Sequence, residues 1–277
     1  MIPVLLAAAA AASFGAMTVA IRLGLRDGGS AVRASLATLI VAFTLTFTAS
    51  LVRHEYANAW KFFLAGLLAP GLSQILFTRS VKEVGVSRTS VAAGTAPLFA
   101  LVIAFTFLGE PVEAGLIVGA LLIVAGGTLL IGERDRPGRV PARALSYAVA
   151  AAAMFATRDN IVRALHAHAN PQAAAAAAML AGVLVGVATI RALPTRRELL
   201  DMTPAGLLFG VSYLCTFAAY FRGRVSVVSP LIATEALWGI GLAAIVFGSA
   251  ERIGVRVVVG GAVIVAGGIL IGLTATS

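Results

Sequence analysis

Charge is scarce in this chain. Of its 277 residues only 12% are Asp, Glu, Lys or Arg, about half the fraction found in a soluble domain. Together with 60% apolar residues and a mean hydropathy of +0.98, that shortage excludes a water-soluble globular protein. Cysteine is nearly absent as well. Cys215 stands alone, which excludes an intramolecular disulfide and a thiolate metal site. The three histidines, His54, His166 and His168, lack the spacing of a zinc-hydrolase helix. The sequence also carries no phosphate-cradling glycine loop and no nucleic-acid module. We therefore expect no metal, no cofactor and no catalytic residue, and the lack of a nucleophile–base pair argues against an intramembrane enzyme.

Acidic residues number 12 against 21 basic ones, a net charge of +9. A nucleic-acid partner is not expected, because the basic residues fall singly or in short groups between apolar runs. Membrane proteins mark their cytoplasmic face in that way. Apolar stretches cover 2–24, 31–52, 60–79, 84–108, 113–131, 143–165, 172–190, 204–221, 225–247 and 255–273. A bilayer span needs roughly 20 residues, and helices are the only form that so many continuous runs can take in lipid. The fold class is thus all-α integral membrane, with ten transmembrane helices. The N-terminal run MIPVLLAAAAAASFGA resembles a signal-peptide core but lacks a preceding Lys or Arg and continues unbroken to Ile21, so we read it as a retained first helix.

The most polar segment, GERDRPGRVPAR at 132–143, falls near the middle. It divides the chain into a first five-helix repeat at 1–132, a cytoplasmic linker at 133–143 and a second repeat at 144–277. Shifting the sequence by 141 places Phe14 on Phe155, Arg22 on Arg163, Glu110 on Glu251 and Gly119 on Gly260. The same shift lays Ile123-Val124-Ala125-Gly126-Gly127 on Ile264-Val265-Ala266-Gly267-Gly268. Because five is odd, the second half must enter the membrane from the opposite side, giving an inverted-topology repeat. Transporters are built in that way. Fifteen Lys and Arg residues then lie on one side and five on the other, with Arg158 inside a span. The fifteen-charge side is the cytoplasmic one, so both termini are extracytoplasmic.

Ten helices in two inverted halves, each half closing with a Glu followed by a Gly-rich helix, resemble the EamA-type branch of the drug/metabolite transporter superfamily. The residues that carry the resemblance are Phe14-Gly15, Leu108-Gly109-Glu110, Ala125-Gly126-Gly127, Ser229-Pro230, Glu251 and Ala266-Gly267-Gly268. Two departures stand out. Arg158-Asp159 replaces small or polar residues, and Ser249-Ala250-Glu251 replaces Leu-Gly-Glu. The resemblance implies a secondary transporter of the bacterial cytoplasmic (inner) membrane that exports amino acids, aromatic or hydrophobic ones foremost, or related small metabolites by alternating access, with the aromatic amino acid exporters as the nearest look-alike. It also implies a binding site formed by the first, third, fourth, sixth, eighth and ninth helices. The partners expected are a small-molecule substrate and the lipid bilayer, and a monomer is the expectation for assembly. A passive facilitator or channel for small metabolites, or a multidrug exporter of the same family, is the alternative.

Within that frame the intramembrane charges draw attention. Glu235 lies ten residues into the ninth stretch, about 15 Å deep at 1.5 Å per residue. A carboxyl at that depth must face a cavity, find a partner or stay protonated, so Glu235 is read as a proton or substrate-amine site. Arg158 and Asp159 point about 100° apart on a helix. They are not expected to pair with each other; Asp159 is expected to reach Arg163 one turn on and to share in proton coupling, leaving Arg158 for a substrate carboxylate. Phe14, Met17, Phe77, Phe99, Phe155, Tyr213, Phe217 and Trp238 complete the expected substrate site as an apolar, stacking lining, with Tyr220 beside them. Pro70, Pro97 and Pro230 fall inside spans and are expected to kink them. Glu110 and Glu251 are expected to cap helices, and the Ala-Gly-Gly runs to allow close helix approach as scaffold.

Overall fold

The computed structural model describes residues 1–25, 29–52, 55–129, 142–167, 169–190, 192–247 and 255–276. Helix dominates, and the described residues contain no strand. We label the helical segments α1 (Ile2–Gly24), α2 (Ala31–Ser50), α3 (Trp60–Val84), α4 (Val86–Phe107), α5 (Ala114–Leu129), α6 (Ala142–Ala164), α7 (Pro171–Thr189), α8 (Arg196–Tyr220), α9 (Val225–Phe247) and α10 (Val255–Thr276). Seven of them, α1 to α4 and α7 to α9, are long and apolar enough to cross a membrane. α5 is shorter, and α6 carries Arg158, Asp159 and Arg163 among its apolar residues.

Local chemistry sets the helix starts. Ser30 caps α2, and Asn170 caps α7 with its side chain accepting from the Gln172 amide at 2.9 Å. Pro171 follows at a position where the missing N–H costs nothing. α8 begins at Arg196, eight residues before the stretch expected from hydropathy. The reason is a capping box: Thr195 Oγ1 accepts from the Glu198 amide, and Glu198 Oε2 accepts from the Thr195 amide at 2.8 Å. Arg196, Arg197, Glu198 and Asp201 dilute the hydropathy of this turn without weakening its helix.

Three helices are interrupted. α3 holds a wide turn at Leu67–Leu72, where Ala69 leaves helical geometry ahead of Pro70. α4 breaks between Ala93 and Ala96, and α9 between Ile232 and Glu235. Pro97 sits just past the first of these breaks and Pro230 just before the second. All three prolines thus lie at or near a distortion, as their loss of a backbone donor requires.

The packing is reciprocal. α1 packs on α8 and α9, while α6 packs on α3 and α4; α2 packs on α7 and α8, α3 on α7, α4 on α9, and α5 on α10. α5 and α10 meet through glycine. A methyl added to Gly119 would lie 2.9 Å from the Gly267 carbonyl oxygen, and one added to Gly267 only 2.6 Å from that of Gly119. Such backbone-to-backbone contact is available only where no side chain intervenes. A methyl added to Gly127, in contrast, would meet nothing within 4 Å, and one added to Gly268 would meet only Leu231 of α9, at 3.7 Å.

Candidate functional site

The two breaks in α4 and α9 occupy corresponding places in the halves, and they are built alike. Thr95 Oγ1 donates to the Ala92 carbonyl at 2.7 Å, and Thr234 Oγ1 donates to that of Leu231 at 2.7 Å. A threonine hydroxyl that turns back on its own helix offers the backbone an alternative to the next helical bond. Sequence reading missed this pair. The signal was present as Gly94-Thr95-Ala96-Pro97 against Ala233-Thr234-Glu235-Ala236, offset by 139 instead of 141.

Between the breaks lies an internal cavity of about 40 Å³, room for roughly one to three waters. Ala93 and Ala96 of α4 and Ile232, Ala233 and Glu235 of α9 line one part of it. Phe14 of α1, Phe155, Arg158 and Asp159 of α6, and Tyr213 and Thr216 of α8 line the rest, with Ser212 and Ser229. A larger, open hollow of about 330 Å³ lies at Glu55, Ala57, Ala169 and Asn170 on the surface. Its carboxylate already accepts from Asn170 Nδ2 at 3.2 Å, and neither helix break reaches it, so the internal cavity is the better candidate.

Three ionisable groups meet there, all nearly excluded from solvent. Arg158 and Asp159 do pair, contrary to expectation: Nε lies 2.7 Å from Oδ1. The 100° between neighbouring helix positions is bridged by the length and flexibility of the arginine side chain. The contact is an ion pair without the alignment of a hydrogen bond, and Arg158 Nη1 makes no hydrogen bond. Asp159 does not reach Arg163. Its Oδ2 accepts from Tyr220 Oη of α8 at 2.7 Å, while Arg163 Nη1 donates to the Tyr220 carbonyl at 3.2 Å. Glu235, 7% exposed, faces the cavity from the start of the second half of α9.

The aromatic residues divide into two groups. The Arg158 guanidinium carbon lies 4.6 Å from the Tyr213 ring centroid, 5.5 Å from that of Phe155 and 5.7 Å from that of Phe217. These rings hold the arginine through their quadrupoles and do not form an open stacking pocket. Phe14 meets Phe77, Phe155 and Phe209 edge-on with centroids 5.2 to 5.9 Å apart. Phe77 and Met17 are fully buried and stay outside the cavity lining. Trp238 and Phe99 are exposed, at 46% and 36%. Neither residue is among those that line the cavity.

Glu110 caps a helix, but not one of its own half. Its Oε1 accepts from the Val225 amide at 2.7 Å and its Oε2 from the Ser226 amide at 2.8 Å, at the start of α9. Glu251 and the neighbouring Ser249 and Ala250 lie outside the described residues, as do His54, His168 and most of the 133–143 segment. His166 sits at the end of α6, with Nδ1 2.6 Å from the Arg163 carbonyl oxygen. Among the described residues no group of three or more His, Cys, Asp or Glu is arranged to hold a metal.

The profile of the EamA-like transporter family matches this sequence twice, over residues 1–132 and over 142–273. No curated protein matches it. One solved crystal structure, whose description names no function, is 16% identical with a TM-score of 0.81, covering 99% of this chain and 97% of its own. At that identity the likeness concerns the fold alone.

Proposed function

The chain belongs to the EamA-like transporter family, membrane transporters of the drug/metabolite type, and on that premise we propose that it is a secondary transporter exporting amino acids or related small metabolites by alternating access. The observation that carries the proposal is the meeting of two broken helices, one from each half, at a cavity holding Arg158, Asp159 and Glu235. Interrupted helices in corresponding positions of two repeats are where transporters bind substrate. Buried charges within the membrane are retained where a pathway or relay needs them.

The finer architecture belongs to the same proposal. Ten spans form two inverted repeats, 1–132 and 144–277, joined by the cytoplasmic linker 133–143 in the bacterial inner membrane, with both termini outside. The double family match, the reciprocal packing and the charge bias of fifteen to five support this reading.

In the binding step, Arg158 offers its unoccupied Nη1 to a substrate carboxylate, while Glu235 receives an amine or a proton. Asp159, fixed by Tyr220, holds Arg158 in place. Phe14, Phe155, Tyr213 and Phe217 enclose these groups. Because three of the rings are engaged by Arg158 and are not free to stack on a ligand, compact polar amino acids suit the site better than aromatic ones. Drug-sized ligands fill roughly 300–1,000 Å³, so entry requires α4 and α9 to part from α6 and α8. Counterflow of a labelled amino acid panel in proteoliposomes tests the proposal. Saturable exchange, strongest for small zwitterions, is expected; flux that neither saturates nor responds to trans substrate would identify a passive facilitator.

A further inference from the structure

Glu110 does more than end its own helix. Gly109, at φ +63° with open space around it, turns the chain out of α4, and the Glu110 amide returns to the Ala104 carbonyl at 3.3 Å. The side chain is thereby aimed away from α4 and across to α9. Both of its oxygens are taken by the first two amides of that helix, at 2.7 and 2.8 Å. Val225 and Ser226 are themselves buried. A carboxylate on the N-terminus of a helix gains from the charge-assisted bonds and from the helix dipole together. Beside it, Arg224 Nη1 donates to Glu113 Oε1 at 2.8 Å, a second tie between the α4–α5 connection and the start of α9.

What these ties hold is the half-helix Val225–Ile232. It supplies Ser229 and Ile232 to the cavity, and the break at Ala233–Thr234 separates it from the second half of α9. A short helix with a break at one end and an anchor at the other can swing when the anchor lets go. We infer that Glu110 is a positioning residue for α9 and the latch of the pathway on its own face: while its carboxylate caps Val225 and Ser226 the cavity is shut on that side, and opening requires the cap to be released. The inference takes its meaning for transport from the proposed function, but it concerns the opening itself.

Cys215 is the only cysteine of the chain, so Cys215→Ser gives a cysteine-free background into which Ser229→Cys places a thiol at the cavity. A membrane-impermeant maleimide is applied to each face of sealed vesicles in separate arms, and the labelling rate is read. Glu110→Gln keeps the size, loses the charge and one of the two acceptors, and should raise the rate on one face about tenfold, the shift expected for losing a charge-assisted pair. Val225→Pro approaches the same bonds from the other end. It removes one donor at the first helical position, where proline is tolerated and where Arg224 already has extended geometry. It should raise the same arm in the same direction. Glu113→Gln breaks only the half-exposed rim pair and should change the rate less than fivefold. Rates within twofold of the parent for both Glu110→Gln and Val225→Pro would overturn the latch. Labelling is read without any substrate, so a failed counterflow assay leaves this result intact and the two readings fail separately.

Discussion

Gly15→Ala adds one methyl group where α1 crosses α9. A Cβ built at this position would lie 2.6 Å from the Gly239 amide nitrogen, 2.7 Å from the Glu235 carbonyl oxygen and 2.7 Å from Trp238 Cβ. Ordinary contact begins near 3.4 Å, so the helices must separate by about 0.8 Å. Two of the three obstructing atoms are backbone, and no rotamer change relieves them. Overpacking of this kind costs about 1–3 kcal/mol, read as an apparent Tm lower by several degrees. The displacement falls at the break that presents Glu235 to the cavity, so transport should decline with stability. Gly241→Ala is the control on the same helix. Nothing lies within 4 Å of its added methyl, and alanine is the better helix former by up to about 1 kcal/mol. Thermal melting in detergent followed by fluorescence-detected size exclusion, with exchange measured on the same preparations, reads both variants. Equal stability and activity for Gly15→Ala and Gly241→Ala would refute the close crossing of α1 and α9.

Tyr220→Phe removes the hydroxyl that donates to Asp159 at 2.7 Å and leaves a buried carboxylate oxygen without its partner. A loss of about 1.5–3 kcal/mol is expected, visible as a lower melting temperature; an unchanged melt would mean that water replaces the hydroxyl. Trp238→Ala should leave the ratio of bulky to small substrates unchanged in competition assays, because Trp238 is not among the residues that line the cavity. Selective loss of the bulky substrates would return Trp238 to the pathway. A reporter fused after Ser277 should read as extracytoplasmic, and a cytoplasmic signal would overturn the topology together with the inverted pairing of the halves.

The helical, membrane-embedded class was legible because hydropathy and the shortage of charge act over whole segments. Internal repetition was legible for the same reason: Glu110 with Glu251, and Ile123–Gly127 with Ile264–Gly268, recur at one offset. Positions that depend on rotation about a helix axis were harder. Trp238 and Glu235 are three residues apart on α9, yet one is half-exposed and the other faces the cavity. Apolar all-round helices offer no polar face from which to read that rotation. The Arg158–Asp159 pair was missed because Cβ directions rule it out while a long guanidinium stem does not. The capping of α9 by Glu110 joins residues more than a hundred positions apart. Its local signal, Gly before Glu at a helix end, indicated a cap without indicating which helix receives it. The start of α8 was legible in principle, since Thr195 and Glu198 spell a capping box.

The pH profile of exchange tests the central claim most directly. If the cavity charges run transport, a carboxyl must take up and release a proton or a substrate amine as the site alternates, and Glu235 is the one that faces the cavity without a hydrogen-bond partner among the described residues. Glu235→Gln keeps its size and hydrogen-bonding capacity and cannot titrate. In proteoliposomes held at a series of pH values, the parent protein should show saturable, pH-dependent counterflow. Glu235→Gln should insert and fold normally while its exchange becomes independent of pH. An identical rate and pH profile in the two proteins would contradict the account, reducing Glu235 to a buried structural acid.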